Sequence, residues 1–309
     1  MKVFITGGTG NIGQYVTLAA IANGHEAVVL SRDPEKTPLA EKVKLVKGAI
    51  TDYDLLADYI KGCDAVIHIA LGWGNEPVSM LKNDTTATVN LLEIAEKAGV
   101  GKFIYTSSTA AMGHMRNGMD ETAVNLPIDL YGSTKSASEA FVLGFTKYYG
   151  DDGRQVKMKR NIIRPGYTYS NPPFPGGSSQ ADARFRNIAD AVVNNKPIEL
   201  TKYDGTQFIS AGEIAKVYIQ LLESDKDGEI YLALGNVFTG WDQIAKTAIE
   251  LYPESKSEIV YKDLNWSAEP VLYCVKKIEK DFGLSFDSQH DLREHIKWCI
   301  GEAVKQREN

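Results

Sequence analysis

Glycines at positions 7, 10 and 13, with Gly8 added, fill the run TGGTGNIG that follows directly on the apolar stretch KVFIT. No other feature limits the fold as strongly. Positions without side chains let a strand turn sharply into a helix and let backbone approach a pyrophosphate at the helix N-terminus, where open N–H groups and the dipole favour anions. Such a pattern is weak alone and gains meaning between a strand and a helix. The rest of the first half agrees. The β-branched runs KVFIT, EAVVL, VKLV, DAVIHIA, KFIYTS and KRNIIRP alternate with helical patterns near Asn11 to Asn23, Asp52 to Ile60 and Asp84 to Ala98. This alternation predicts an α/β chain, a Rossmann-type doubly wound parallel sheet with helices on both faces and ligands at its carboxyl edge.

Beyond Pro165 the pattern breaks at GYTYSNPPFPGGSSQ, which reads as a loop leaving the sheet. We expect a dinucleotide-binding domain over 1–165 and a smaller mixed α/β substrate domain over 166–309, with about 205–235 (GEIAKVYIQLLES) packing back on the first domain. In FTGWDQIAKTAIELY, Thr239 is placed to cap a helix that buries Trp241, Ile244, Ala245, Ala248 and Ile249.

The net charge of −6, with cations scattered among acids, argues against nucleic acid or an anionic membrane as partner. No apolar run is long enough to span a bilayer and no secretory signal is visible, so a cytoplasmic protein acting on a small molecule is expected. Cys63, Cys274 and Cys299 are odd in number and far apart, which fits reduced thiols. No cysteine or histidine spacing suggests a metal site; His290 and His295, five apart, face different ways on a helix.

Three strand ends carry chemistry. The second strand closes on Ser31, Arg32 and Asp33. An acid there serves the ribose hydroxyls of NAD, whereas an arginine accommodates a 2′-phosphate, so NADP(H) is favoured and NAD(H) stays open through Asp33. The fifth strand ends at Ser107 and Ser108, where a hydroxyl can hold the oxygen of a reacting alcohol or carbonyl. In DLYGSTKSASEAF, Tyr131 and Lys135 fall one turn apart at the start of an amphipathic helix. A neighbouring ammonium lowers the pKa of a phenol and makes it a usable proton carrier.

With TGGTGNIG, HIA closing the fourth strand, a serine ending the fifth and YGSTK, the chain resembles the extended short-chain dehydrogenase/reductases of the NAD(P)-dependent epimerase/dehydratase group. RPG at Arg164 to Gly166 and YDGTQFISAGEIA extend the likeness more loosely. The resemblance implies a catalytic Ser108, Tyr131 and Lys135, with the tyrosine as acid or base, the lysine tuning it and binding the nicotinamide ribose, and the serine orienting substrate. It implies cofactor contacts from Gly7, Gly10, Asn11, Ile12, Gly13, Ser31, Arg32, Ile50, Ala70, Tyr131, Lys135 and Pro165. A homodimer packed through the Asp84 and Tyr131 helices is also a family habit.

The departures narrow the reading. Ala49 stands where many relatives have an acid, leaving Ile50 for the adenine. Thr109 and Ala110 replace the Asp-Glu pair of the sugar dehydratases, which disfavours dehydration, and Met112 replaces a usual tyrosine. No arginine-glycine-aspartate stretch marks a diphosphate site; Arg184, Arg186 and Arg293 remain as phosphate candidates. For substrate contacts we name Trp73, Ser108, Thr109 and Tyr167, with Tyr169 and Phe174 as further aromatics and Trp241 assigned to the core. The sequence therefore points to an NAD(P)-dependent oxidoreductase acting on a secondary alcohol or ketone. A nucleotide-sugar epimerase holding NAD and a non-catalytic NADP(H) sensor are the alternatives.

Overall fold

The computed structural model describes residues 1–72, 76–145, 156–179 and 182–308. Its first half runs β1 (Lys2–Thr6), α1 (Asn11–Ala22), β2 (Glu26–Ser31), β3 (Lys44–Lys47), α2 (Tyr53–Ile60), β4 (Ala65–His68), α3 (Pro77–Met80), α4 (Ala87–Lys97), β5 (Lys102–Thr106), α5 (Leu130–Gly144) and β6 (Lys159–Pro165). A wide π-type turn, Leu81–Thr86, joins α3 to α4. The helix read from Asp84 therefore begins earlier, at Pro77, whose fixed φ suits a first helical position.

The second half contains β7 (Thr168–Tyr169), α6 (Arg184–Val193), β8 (Ile198–Thr201), β9 (Gly205–Thr206), β10 (Ile209–Ser210), α7 (Ala211–Glu223), β11 (Ile230–Ala233), β12 (Thr239–Gly240), α8 (Trp241–Leu251), β13 (Ile259–Lys262), α9 (Lys276–Phe282) and α10 (Gln289–Glu308). The main sheet is seven-stranded in the order β11-β6-β5-β4-β1-β2-β3. Every pairing in it is parallel. This is the Rossmann architecture that the glycine turn and the alternating pattern predict. The order reverses between β1 and β4, which opens a crevice at the carboxyl ends there.

Successive strand residues go to opposite cores. Val3 and Ile5 pack with Val16 of α1 and with Val217, Tyr218 and Leu221 of α7, while Phe4 and Val28 pack with Leu56, Leu91 and Val142. Helix α7 thus covers the same sheet face as α1, and β11 extends the sheet beside β6. A separate apolar cluster unites α6, α8 and α10 around Phe185, Phe208 and Trp241.

Helix α5 is fixed at its N-terminus and again past its middle. Asp129 caps it, accepting from the Gly132 N–H at 2.7 Å. Glu139, 2% exposed, grips Arg164 of β6 through bonds of 2.8 and 2.7 Å. For α8 the cap differs from expectation. Gly240 is the N-cap and its N–H bonds Gln243 Oε1, while Thr239 instead accepts from Gln289 of α10.

Candidate functional site

A cleft of about 900 Å³ runs along the carboxyl edge of the sheet. Its floor is the glycine turn. Gly7 has a φ of +71°, and a Cβ at Gly13 would stand 1.9 Å from the Gly7 carbonyl oxygen. Helix α1 begins at Gly10 with no side-chain cap and no acid in its first turn, so its open N–H groups suit an anion. Gly10, Asn11 and Ile12 line the cleft beside Ser31 at the end of β2 and Arg32 just past it, Ile50 after β3, Ala70 after β4 and Pro165 at the end of β6. The size, the absent Cβ atoms and the uncapped helix end fit a dinucleotide.

From Arg32 the cleft continues into a smaller hollow of about 250 Å³ lined by Thr9, Ser31, Arg32, Asp33, Lys36, Thr37 and Gly176 to Ser178. Lys36 pairs with Asp33 at 3.3 Å, so the acid that offered a ribose ligand is already engaged by a cation. Lys36 and the 176–178 loop were not legible in the sequence, since they reach Arg32 only through the folded path of the chain.

Ser108, Tyr131 and Lys135 line the opposite end of the same cleft. Ser108 hydrogen-bonds the Tyr131 hydroxyl. Its Oγ also accepts from Ala110 N–H at 3.1 Å, which holds the side chain at the end of β5. Lys135, 2% exposed, has Nζ 5.9 Å from the Tyr131 ring centroid and donates to the Thr106 carbonyl at 3.3 Å. The ammonium faces Asp84 of the wide turn at 3.5 Å, a partner the sequence reading did not name. Burial pushes the Tyr131 phenol above its ordinary value; the Ser108 bond pulls it down, and Asp84 and Asp129 raise it further. Lys135 is drawn below its ordinary value by burial, against the pull of Asp84.

A second residue outside the sequence reading is His68. Thr88 Oγ1 donates to the Asp84 carbonyl at 2.8 Å, so it must accept from His68 Nε2 at 2.9 Å. Nδ1 then accepts from Thr6 Oγ1 at 2.7 Å, and Thr6 in turn accepts from the Ala70 N–H at 3.2 Å. One continuous chain of donors therefore joins the cleft wall at Ala70 to the turn that carries Asp84. Burial, and after it the charge of Lys135, pushes the His68 pKa down to about 3.

The other sequence candidates scatter. Tyr167 lines the cleft with its ring packed on Phe208 and Trp241 at centroid distances of 4.9 and 5.5 Å. Thr109 is not among the lining residues and instead bonds Tyr273. Tyr169 is core, 1% exposed and donating to the Ser288 carbonyl; Trp241 is core as expected. Arg184 stacks over Trp241 at 4.4 Å and pairs with Asp182, and Arg293 pairs with Glu250 of α8. Trp73 lies outside the described residues. Among those residues no group of three metal ligands occurs and no helix is long and apolar enough to cross a membrane.

The profile of the NAD dependent epimerase/dehydratase family matches residues 3–233. A putative UDP-glucose 4-epimerase from Methanocaldococcus jannaschii is 25% identical over 96% of this chain and 97% of its own. A 3 beta-hydroxysteroid dehydrogenase/Delta 5→4-isomerase from Mycobacterium tuberculosis is 32% identical over 55% of this chain and 48% of its own, so the match spans about half of that protein. Among solved structures, a UDP-glucose 4-epimerase with UDP-glucose from Thermotoga maritima aligns over 100% of both chains with a TM-score of 0.79 and 20% identity, a likeness of fold.

The His68 ring yields a pH prediction. The folded protein holds it neutral down to about 3, whereas the unfolded chain protonates it below its ordinary 6.5. Its contribution is thus fully present above 6.5 and drains as pH falls toward 3, on the order of 5 kcal/mol at the limit. Denaturant unfolding of wild type and His68→Asn across that range should show wild type losing stability relative to the variant. Parallel curves would contradict the assignment.

Proposed function

The chain belongs to the NAD dependent epimerase/dehydratase family, and on that premise we propose that it is an NADP(H)-dependent oxidoreductase interconverting a secondary alcohol and its ketone. The observation that carries this reading is the convergence of Ser108, Tyr131 and Lys135 on one end of a cleft whose floor is the glycine turn. A nicotinamide held in that cleft supplies or takes up the hydride. Ser108 holds the substrate oxygen beside Tyr131, and the Tyr131 hydroxyl gives or takes its proton. Lys135 orients this end of the cleft through its ammonium, which is fixed by the Thr106 carbonyl and Asp84. Thr109 and Ala110 carry no carboxyl, which disfavours elimination.

Arg32 and Lys36 around the hollow beyond Ser31 support NADP(H), since two cations against the single Asp33 suit a 2′-phosphate. A nucleotide-sugar epimerase is the second reading, favoured by the end-to-end likeness to the archaeal putative epimerase; NAD retained through purification would select it. The unbridged thiols of Cys63, Cys274 and Cys299 support a reducing compartment, the cytoplasm. Exposed apolar side chains on neighbouring elements, Val78 (76%) and Leu81 (50%) with Phe141 (51%) on α5, support a homodimer through this face.

Three outcomes test these readings. Tyr131→Phe should lower kcat by ~10²–10⁴ while NADPH still binds; full turnover would sink the proton-carrier role. Arg32→Ala should weaken NADPH by roughly ten- to a hundredfold, the worth of a charged hydrogen bond, and leave NADH nearly unchanged in side-by-side titrations; equal losses would remove Arg32 as phosphate ligand. Light scattering should find a dimer that Phe141→Asp converts to monomer, and a monomeric wild type would refute the interface.

A further inference from the structure

The carboxylate of Asp84 is 1% exposed, and apart from the Lys135 ammonium its oxygens have no hydrogen-bond partner among the described residues. The cation it faces is Lys135, at 3.5 Å and itself buried. A charge buried with so little hydrogen bonding is costly. We propose that Asp84 is a positioning residue that cancels the charge of Lys135, holds Tyr131 as a phenol and so biases the site toward carbonyl reduction. This deepens the oxidoreductase reading and rests on it.

The geometry explains how Asp84 reaches the site. The wide turn Leu81–Thr86 carries it toward α5, and the donor chain from Thr6 through His68 and Thr88 ends on its own carbonyl oxygen. The other titratable groups facing Tyr131 and Lys135 are Asp129, Glu139, His68, Tyr105 and Tyr218. Glu139 is committed to Arg164, and Asp129 to the exposed N-cap of α5. His68 is held neutral by burial, and the two tyrosines are pushed further toward their neutral forms. Asp84 is therefore the carboxylate left to set the local charge.

An ammonium stabilises a nearby phenolate only while its field is not cancelled. With Asp84 opposite, the Lys135 charge is offset and the phenol keeps its proton, in line with the upward displacement of Tyr131 described above. In reduction the carbonyl carbon gains hydride from NADPH, which leaves as NADP⁺, while the Tyr131 O–H bond breaks and its proton goes to the carbonyl oxygen. Solvent then returns a proton to the tyrosinate. A phenol that stays protonated at high pH serves this direction.

The test is a pH titration of tyrosinate absorbance in wild type and in Asp84→Asn, each corrected by subtracting its Tyr131→Phe counterpart. Tyr131 in wild type should titrate above the ordinary ~10, and Asp84→Asn should move it down by a pH unit or more, so that tyrosinate at a given pH rises at least tenfold. The alkaline limb of kcat for NADPH-driven reduction should move down by the same amount. A purely structural Asp84 would lower kcat at all pH values and leave both midpoints in place, which overturns the proposal. If the variant fails to fold by circular dichroism, the wild-type titration decides, because a midpoint below the ordinary value excludes a cancelled ammonium. The titration needs no substrate. Failure of wild type to reduce any carbonyl would therefore count against the oxidoreductase reading alone.

Discussion

The structure depends on one close approach of backbone to backbone. A Cβ at Gly7 would meet the Ala70 nitrogen at 2.6 Å, and one at Gly13 would meet the Gly7 carbonyl at 1.9 Å. Three segments, the end of β1, the start of α1 and the end of β4, therefore meet where no side chain fits. That meeting aims the open N–H groups of α1 into the cleft and puts Ala70 within reach of Thr6. The donor chain that ends at Asp84 starts from this contact. Cofactor floor and acid–base end are thus consequences of the same absent atoms.

Two buried ion pairs flank helix α5, and their partners are satisfied to very different degrees. Arg164 donates to both oxygens of Glu139 and to Asn125 Oδ1 at 3.0 Å, so its planar fork is filled. Such a pair orients α5 on β6, and leaving one member alone would cost about 3–5 kcal/mol. Lys135 and Asp84 stand farther apart, with the carboxylate otherwise unbonded. The first arrangement locks a helix; the second keeps charge poised beside a tyrosine at the cleft. Glu139 and Lys135 lie one turn apart on α5, yet both Glu139 oxygens are taken by Arg164, with Asn125 donating to one of them as well.

Local pattern decides what was legible. Strands β1 to β6 follow from β-branched runs and α1 from the glycine turn, because each depends on neighbours in sequence. Tyr131 and Lys135 sit one turn apart for the same reason. Asp84 and His68 escaped, since the first depends on a π-type turn that no periodicity announces and the second on a Thr6 partner 62 positions away. The expected effect of Lys135 on Tyr131 also shows the limit of a pairwise reading: the phenol answers to burial first and to Asp84 as well. Thr239 shows a smaller limit of the same kind. A hydroxyl before a helix makes a plausible cap, yet the chain closes that end with Gly240 and Gln243 and turns the threonine to α10.

The two halves of the chain also meet across helix α1. Gln14, fully buried at the start of α1, bonds Ser178 in both directions, donating to its carbonyl at 2.5 Å and accepting from its N–H at 3.1 Å. Tyr15 donates to the Asn171 carbonyl at 2.7 Å, and Ser170 bonds the Asn11 side chain. The loop after β7 is thereby strapped across the helix whose N-terminus opens on the cleft, and its residues 176–178 form one wall of the hollow beside Arg32. The hollow beside Arg32 is therefore walled by this loop as well as by the end of β2. Farther along the chain Arg184 packs over Tyr167 and Trp241, and Tyr167 lines the cleft, so the second half of the chain borders both the hollow and the cleft.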